Sequence, residues 1–317
     1  MATNFPNGVS SFGIPLIGSG SQIPVSGYPG VYRFVSSVNG NDGNSGKTPK
    51  AAMATIAKAL LSCTANNGDV IVLLPGHAET VSAAGGLTLN VAGVTIVGIG
   101  TGSLTPKITL DTATTSTVLV TSANITVRNV AFVANFAAIV TCFDVRATWL
   151  TIDSCSFMDT TSSLNFLKCV IVSQSTANLC DGLTVTGCYR EALATGALAF
   201  VSILGNVDRL TLKNNDVVSA GTGSVGHFLI AAALVLTGAR IIGNTLTVVG
   251  ATSATVGVFF TSSASTDTGI IALNYVSSLD TTSELLATTG TGMVYFENYY
   301  TGDADASGKL WPAAAAA

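Results

Sequence analysis

Apolar and polar residues alternate along the chain in a short phrase that returns eight times. It reads apolar, polar, apolar, polar, small-or-Asn, Asn-or-Cys, any, apolar, and is most legible as LTLKNNDV from Leu210. The other copies begin at Val94, Ile125, Leu150, Leu183, Ala239, Gly269 and Met293, so neighbouring copies start 24 to 33 residues apart. Alternation with period two marks a strand with one buried face. A constant phrase with variable filler at this spacing marks a solenoid whose core repeats while its loops differ.

Most intervals between copies hold a second β-rich run, such as TVLV at 117–120, FLKCVIVS at 166–173 and LAFVSIL at 198–204. Helical segments between the strands are largely missing, which argues against a doubly wound α/β sheet. The pattern predicts an all-β fold: a single-stranded right-handed parallel β-helix with two or three strands per turn.

The sixth slot of the phrase tests this reading from within. It holds Asn215, Asn244, Asn274 and Asn298 in the last four copies, and Cys155 and Cys188 in two earlier ones. Stacked coils lie about 4.8 Å apart, so equivalent side chains are expected to form a structural ladder, the amides hydrogen-bonding from coil to coil. The small residue before the slot (Gly98, Ser154, Gly187, Gly243) suits a corner that needs positive φ or close packing.

The chain divides into four stretches. Residues 1–30 carry no charged side chain and are rich in Gly, Ser and Pro, predicting an extended arm held by a neighbouring subunit or partner. Residues 31–75 predict an N-terminal cap of strand, loop and capping helix, the helix presenting Met53, Ile56, Leu60 and Leu61 on one side. Residues 76–300 are the β-helix. Residues 301–317 form a tail in which Trp311 is expected to pack across the far end.

Only 9% of the 317 residues are charged. So little charge predicts a protein that hides surface in partners. A net charge of −4 disfavours nucleic acid, which needs clustered Lys and Arg. No long uninterrupted apolar run predicts a membrane span, and the start MATNFPNG lacks the basic and apolar regions of an export signal. The six cysteines show no paired zinc spacing, and Cys155 and Cys188 are expected as buried thiols.

The opening segment NDGNSGKTPKAAMATIAKAL…NNGDVIVLLPGHAETVS resembles that of pectate-lyase-like β-helix proteins. With GLTLNVAGVTIVGIGTGS, FVANFAAIVTCFDV, GIIALNYV and FENYYTGDADASGKLWPA, the whole chain resembles a family of tailed-phage virion proteins associated with the capsid. That resemblance implies a non-enzymatic decoration or cement protein on the outside of the shell. Its expected partners are the major capsid protein or other virion proteins, and copies of itself as a homotrimer, with neither nucleic acid nor membrane. The expected place is the virion surface, after synthesis in the host cytoplasm. No catalytic residue, cofactor or metal is implied.

Two other functions stay open, a tail spike or receptor-binding protein and a polysaccharide-degrading enzyme. NND at 214–216, GHF at 226–228 and ARI at 239–241 loosely follow the polygalacturonase order. The sequence departs from that order because no Asp pair lies between the first two elements and Phe228 stands where a glycine belongs. An inverting hydrolase needs two carboxylates, and Asp216 is the only acid between Asp208 and Asp267. For a calcium-dependent lyase, Asp144, Asp153, Asp159 and Asp181 are spread over two coils. NDGNSGKT at 41–48 misses the P-loop spacing by one place and reads as a turn before the capping helix. His77 and His227 each follow a glycine and have no partner ligand in sequence, so structural roles are expected.

Overall fold

The computed structural model describes residues 10–11, 14–15, 30–172, 180–220, 226–230, 235–249, 256–260, 267–278, 286–287, 292–301 and 308–310. Apart from a short antiparallel pair, Ser10–Ser11 with Ile14–Pro15, and Gly30, the arm lies outside these residues, as does Trp311.

The strands stack into three long sheets that are parallel but for one terminal strand, and together they make an all-β solenoid. The first sheet runs from Tyr32–Val35 through Thr126–Arg128, Thr211–Lys213 and Gly269–Ala272 to Met293–Phe296. The second contains Ala131–Ala134, Ser156–Asp159, Tyr189–Ala192, Asp216–Ser219, Thr245–Val248, Tyr275–Ser278 and Asn298–Thr301. It is closed at its far edge by Gly308–Leu310, which pairs antiparallel. The third contains Val118–Val120, Phe143–Val145, Lys168–Val172, Ala199–Ile203 and Gly226–Ile230.

The repeated phrase is more than a strand. Its first four residues cross the first sheet, two residues turn the corner, and the remainder opens the strand of the second sheet. In-register pairing then makes every phrase position a column. Ile96, Val127, Ile152, Val185, Leu212, Ile241 and Ile271 form one buried column inside the first sheet. Facing columns supply Phe132 and Phe157, whose rings are stacked at 5.4 Å, with Phe143 edge-on at 4.8 Å to Phe132. Each such side chain contributes about 1.5–3 kcal/mol through burial. The outward Thr95, Thr126, Thr151, Thr184 and Thr211 form a column of β-branched residues suited to a pleated surface.

The corner explains its own composition. Ser154, Gly187, Asn214 and Gly243 have φ of 53°, 60°, 53° and 67°. Gly98 is different, because close packing holds it: an added Cβ would lie 2.1 Å from the Asn129 carbonyl oxygen. Leu273 occupies the same corner at φ 56° with its side chain about half exposed. Left-handed backbone costs such a residue about 1 kcal/mol. Leu273→Asn is therefore expected to raise stability, seen as a thermal midpoint roughly 2 °C higher; a fall would mean that the leucine makes contacts worth more than the strain.

The capping helix is short, Ile56–Leu60. Ile56, Ala59 and Leu60 are buried against Tyr32–Val35, Val70–Leu73 and Leu87–Leu89. Leu61 corrects the expected apolar side: it ends the helix and is 80% exposed, because the chain turns before it can reach the core. Met53 is buried, but through a bridge to Val35 outside the helix. Among the described residues, no helix is long and apolar enough to cross a membrane.

Candidate functional site

The described concavity lies on the outer face of the third sheet, a cleft of about 370 Å³, within the range of small-ligand sites. Leu119, Asp144 and Ile171 are in register across its floor, and Thr115, Thr117 and Thr141 line its walls. Arg146 donates from Nε and Nη2 to Asp144 Oδ2 at 2.9 and 2.6 Å. That hydrogen bond, with the charge of Asp144, holds the Arg146 guanidinium above its ordinary pKa. Asp144 lies on the strand Phe143–Val145 and Arg146 just past its end, two positions on, so their heads meet on the same side. Carboxylate, guanidinium and hydroxyls beside an apolar floor suit a polyhydroxylated ligand. The cleft contains one carboxylate, and among the described residues no three His, Cys, Asp or Glu side chains gather as a metal site.

The polygalacturonase-like residues are not brought together. Asp216 points outward from the second sheet, His227 is buried in the third, and Arg240 is exposed on the first. Burial, and next the charge of Arg190, lower the His227 pKa to about 3. Its Nε2 has no hydrogen-bond partner. The four aspartates of the lyase reading are also separated. Asp153 pairs with Arg128 at 3.0 Å on the first sheet, while Asp181 accepts from the Asp208 backbone N–H. Asp159 is buried and accepts from the N–H groups of Phe166 and Leu193.

The loop at 41–48 serves the helix. Asp42 accepts from the N–H groups of Ala54 and Thr55 and from the Thr55 hydroxyl. His77 Nδ1 accepts from Ser37 N–H at 3.0 Å, and its Nε2 lies 3.3 Å from Glu79, in contact but poorly aligned for a hydrogen bond. Glu79 in turn accepts from Ile56 N–H at the helix start. These groups join the cap to the first coil.

In the sixth slot, Asn215 donates its amide nitrogen to Asn244 Oδ1 at 2.9 Å, and Asn244 and Asn274 repeat the bond to Asn274 and Asn298 at 2.9 Å each. The same oxygens accept from the backbone N–H groups of Asn215, Asn244 and Asn274. Each amide also donates backwards, to the carbonyls of Val185, Leu212, Ile241 and Ile271. The Cys155 and Cys188 thiols point at the corresponding carbonyls of Val127 and Ile152 at 3.6 Å. Both cysteines are free. Burial pushes the Cys155 thiol up to about 12 and the Cys188 thiol well above its usual value.

One feature escapes the sequence pattern. Arg190 stands in the inward column between Phe157 and Val217, fully buried. Its guanidinium donates to the Phe166 carbonyl at 2.9 Å and contacts the Cys169 sulfur. Burial raises the Asp159 pKa, against the opposing pull of Arg190. From the copy at Ile125 onward the eighth phrase position is otherwise apolar or aromatic, so a fully buried arginine there has no sequence signal beyond the break in pattern.

No protein-family model matches the chain, and no curated protein does. Solved structures do match. A pectate lyase, Pel9A, is 13% identical with a TM-score of 0.46, over 89% of this chain and 80% of that one. A GH136 lacto-N-biosidase from Eubacterium ramulus is 12% identical with a TM-score of 0.36, over 85% and 67%. The chain's own strand order defines the architecture, a parallel β-solenoid. The expectation of a non-enzymatic chain is corrected here, since both of these neighbours are enzymes. At such identities the likeness is one of fold and transfers neither a reaction nor a residue. Neither match is a virion protein.

Proposed function

We propose that the chain is a component of a tailed-phage particle, a decoration or cement protein that binds the major capsid protein from outside as a homotrimer. The carrying observation is a surface with few charges and a band of exposed apolar side chains on the last coils. There Leu273, Tyr275, Val294, Phe296 and Tyr299 are all exposed. Such a band fits a surface covered in an assembly. The sequence resemblance to capsid-associated virion proteins points the same way. The test is copy number per purified particle, by quantitative mass spectrometry against the major shell protein. Hundreds of copies in simple ratio to the shell are expected; absence from the particle, or a handful of copies, overturns the decoration reading.

The cleft favours a second reading, a solenoid that degrades polysaccharide, and the Asp144–Arg146 pair is what favours it. Incubation with acidic polysaccharides is then expected to release new reducing ends, with Arg146→Ala abolishing the release. Release that survives the substitution, or none from the native chain, removes this reading.

A further inference from the structure

In the coils around Lys213 and Asp216, the outer faces of the first and second sheets carry opposite charge. On the first, Lys213 and Arg240 project from adjacent strands, exposed and without an ion-pair partner among the described residues. On the second, Glu191 and Asp216 project from adjacent strands, both exposed. Nearer the last coils the first face carries the exposed Val294 and Phe296, and the second carries the exposed Tyr275 and Tyr299 in register.

We propose that these two faces bind each other between copies of this chain, the first sheet of one copy against the second sheet of the next. The occupant follows from charge complementarity and from height along the solenoid. A cyclic assembly about an axis parallel to the solenoid relates copies by rotation alone, so facing residues must come from the same coil. Lys213 and Asp216 do, separated only by the corner residues Asn214 and Asn215. So do Phe296 and Tyr299, either side of the corner that follows Met293–Phe296. Cation therefore meets carboxylate, and apolar side chain meets tyrosine, with no axial shift. Arg240 and Glu191 lie one coil to either side of the central pair, within about 5 Å of its height.

A contact between two different faces is heterologous, so it closes only as a ring of three or more copies and never as a dimer. This inference uses the self-association in the proposed function but not the particle, so the purified chain tests it alone. Failure here leaves the copy number per particle to be decided separately.

Native mass spectrometry of the full chain at low ionic strength is expected to show a closed oligomer of three or more copies, weakened by salt. Lys213→Glu and Asp216→Lys are each expected to weaken assembly roughly tenfold or more, because each puts like charges opposite one another in every contact. The double variant restores the pair in every contact and is expected to reassemble. Both positions are exposed, and unchanged thermal unfolding of the variants confirms their folding. A native monomer or dimer overturns the proposal, as does indifference to both single reversals or a double variant that stays dissociated.

Discussion

Asn244→Ala is expected to lower the stability of the solenoid by about 3–5 kcal/mol, because one truncation removes four buried hydrogen bonds. Asn244 Oδ1 accepts from both the backbone N–H and the amide of Asn215, while its own amide donates to Leu212 and Asn274. With alanine there, the Asn215 backbone N–H loses its acceptor and the Leu212 carbonyl loses the amide that donates to it. A loss of this size is a large fraction of the roughly 5–15 kcal/mol that separates folded from unfolded domains. Asn244→Cys is expected to cost distinctly less. The chain already places thiols in this slot at Cys155 and Cys188, each aimed at the carbonyl below it. Urea midpoints for the two variants check the order; an alanine variant as stable as the native chain would mean that the amide column contributes nothing net.

The second large effect is on acid stability. Folding lowers the His227 pKa from 6.5 to about 3, through burial first and the Arg190 charge second. Below pH 6.5 the unfolded chain takes up a proton that the folded chain refuses, so stability is complete above that pH and is lost as the pH falls toward 3. The slope is about 1.4 kcal/mol per pH unit for one proton. His227→Leu removes this loss, and because Nε2 has no partner, leucine breaks no hydrogen bond at that atom. The variant is expected to match the native chain near pH 7 and to exceed it by several kcal/mol at pH 4. Asp159 shifts in the opposite sense, its raised pKa favouring the fold in acid, and it is common to both proteins. Parallel acid limbs in the two chains would rule out His227 as the origin.

The solenoid is legible in the sequence because it is written redundantly. Eight phrases share one register, and any of them, such as the one at Leu150 or at Leu210, predicts the columns on either side. The corner is legible for the same reason, since Ser154, Gly187 and Gly243 repeat one backbone demand. The capping helix occurs once, so nothing in the pattern corrected the inward assignment of Leu61. The cleft was illegible because separate coils and their loops build it. Asp144 and Arg146 look like ordinary outward charges until Thr115 and Thr141 rise beside them. The polygalacturonase-like order failed for a related reason. Residues 11 to 13 apart in sequence are sent by two successive corners to three different faces.

The corner between the first two sheets is two residues long in six successive coils, from Asn129–Val130 to Leu273–Asn274. The connections to and from the third sheet vary in length and composition. The short corner works as a gauge that keeps every coil in phase, so the chain can drift freely only around the other two corners. Peptides inserted there would alter what the surface displays while leaving the stack in register. One added residue between Lys213 and Asp216 would put the strand Asp216–Ser219 out of phase with those on either side of it, before the next connection could absorb the shift.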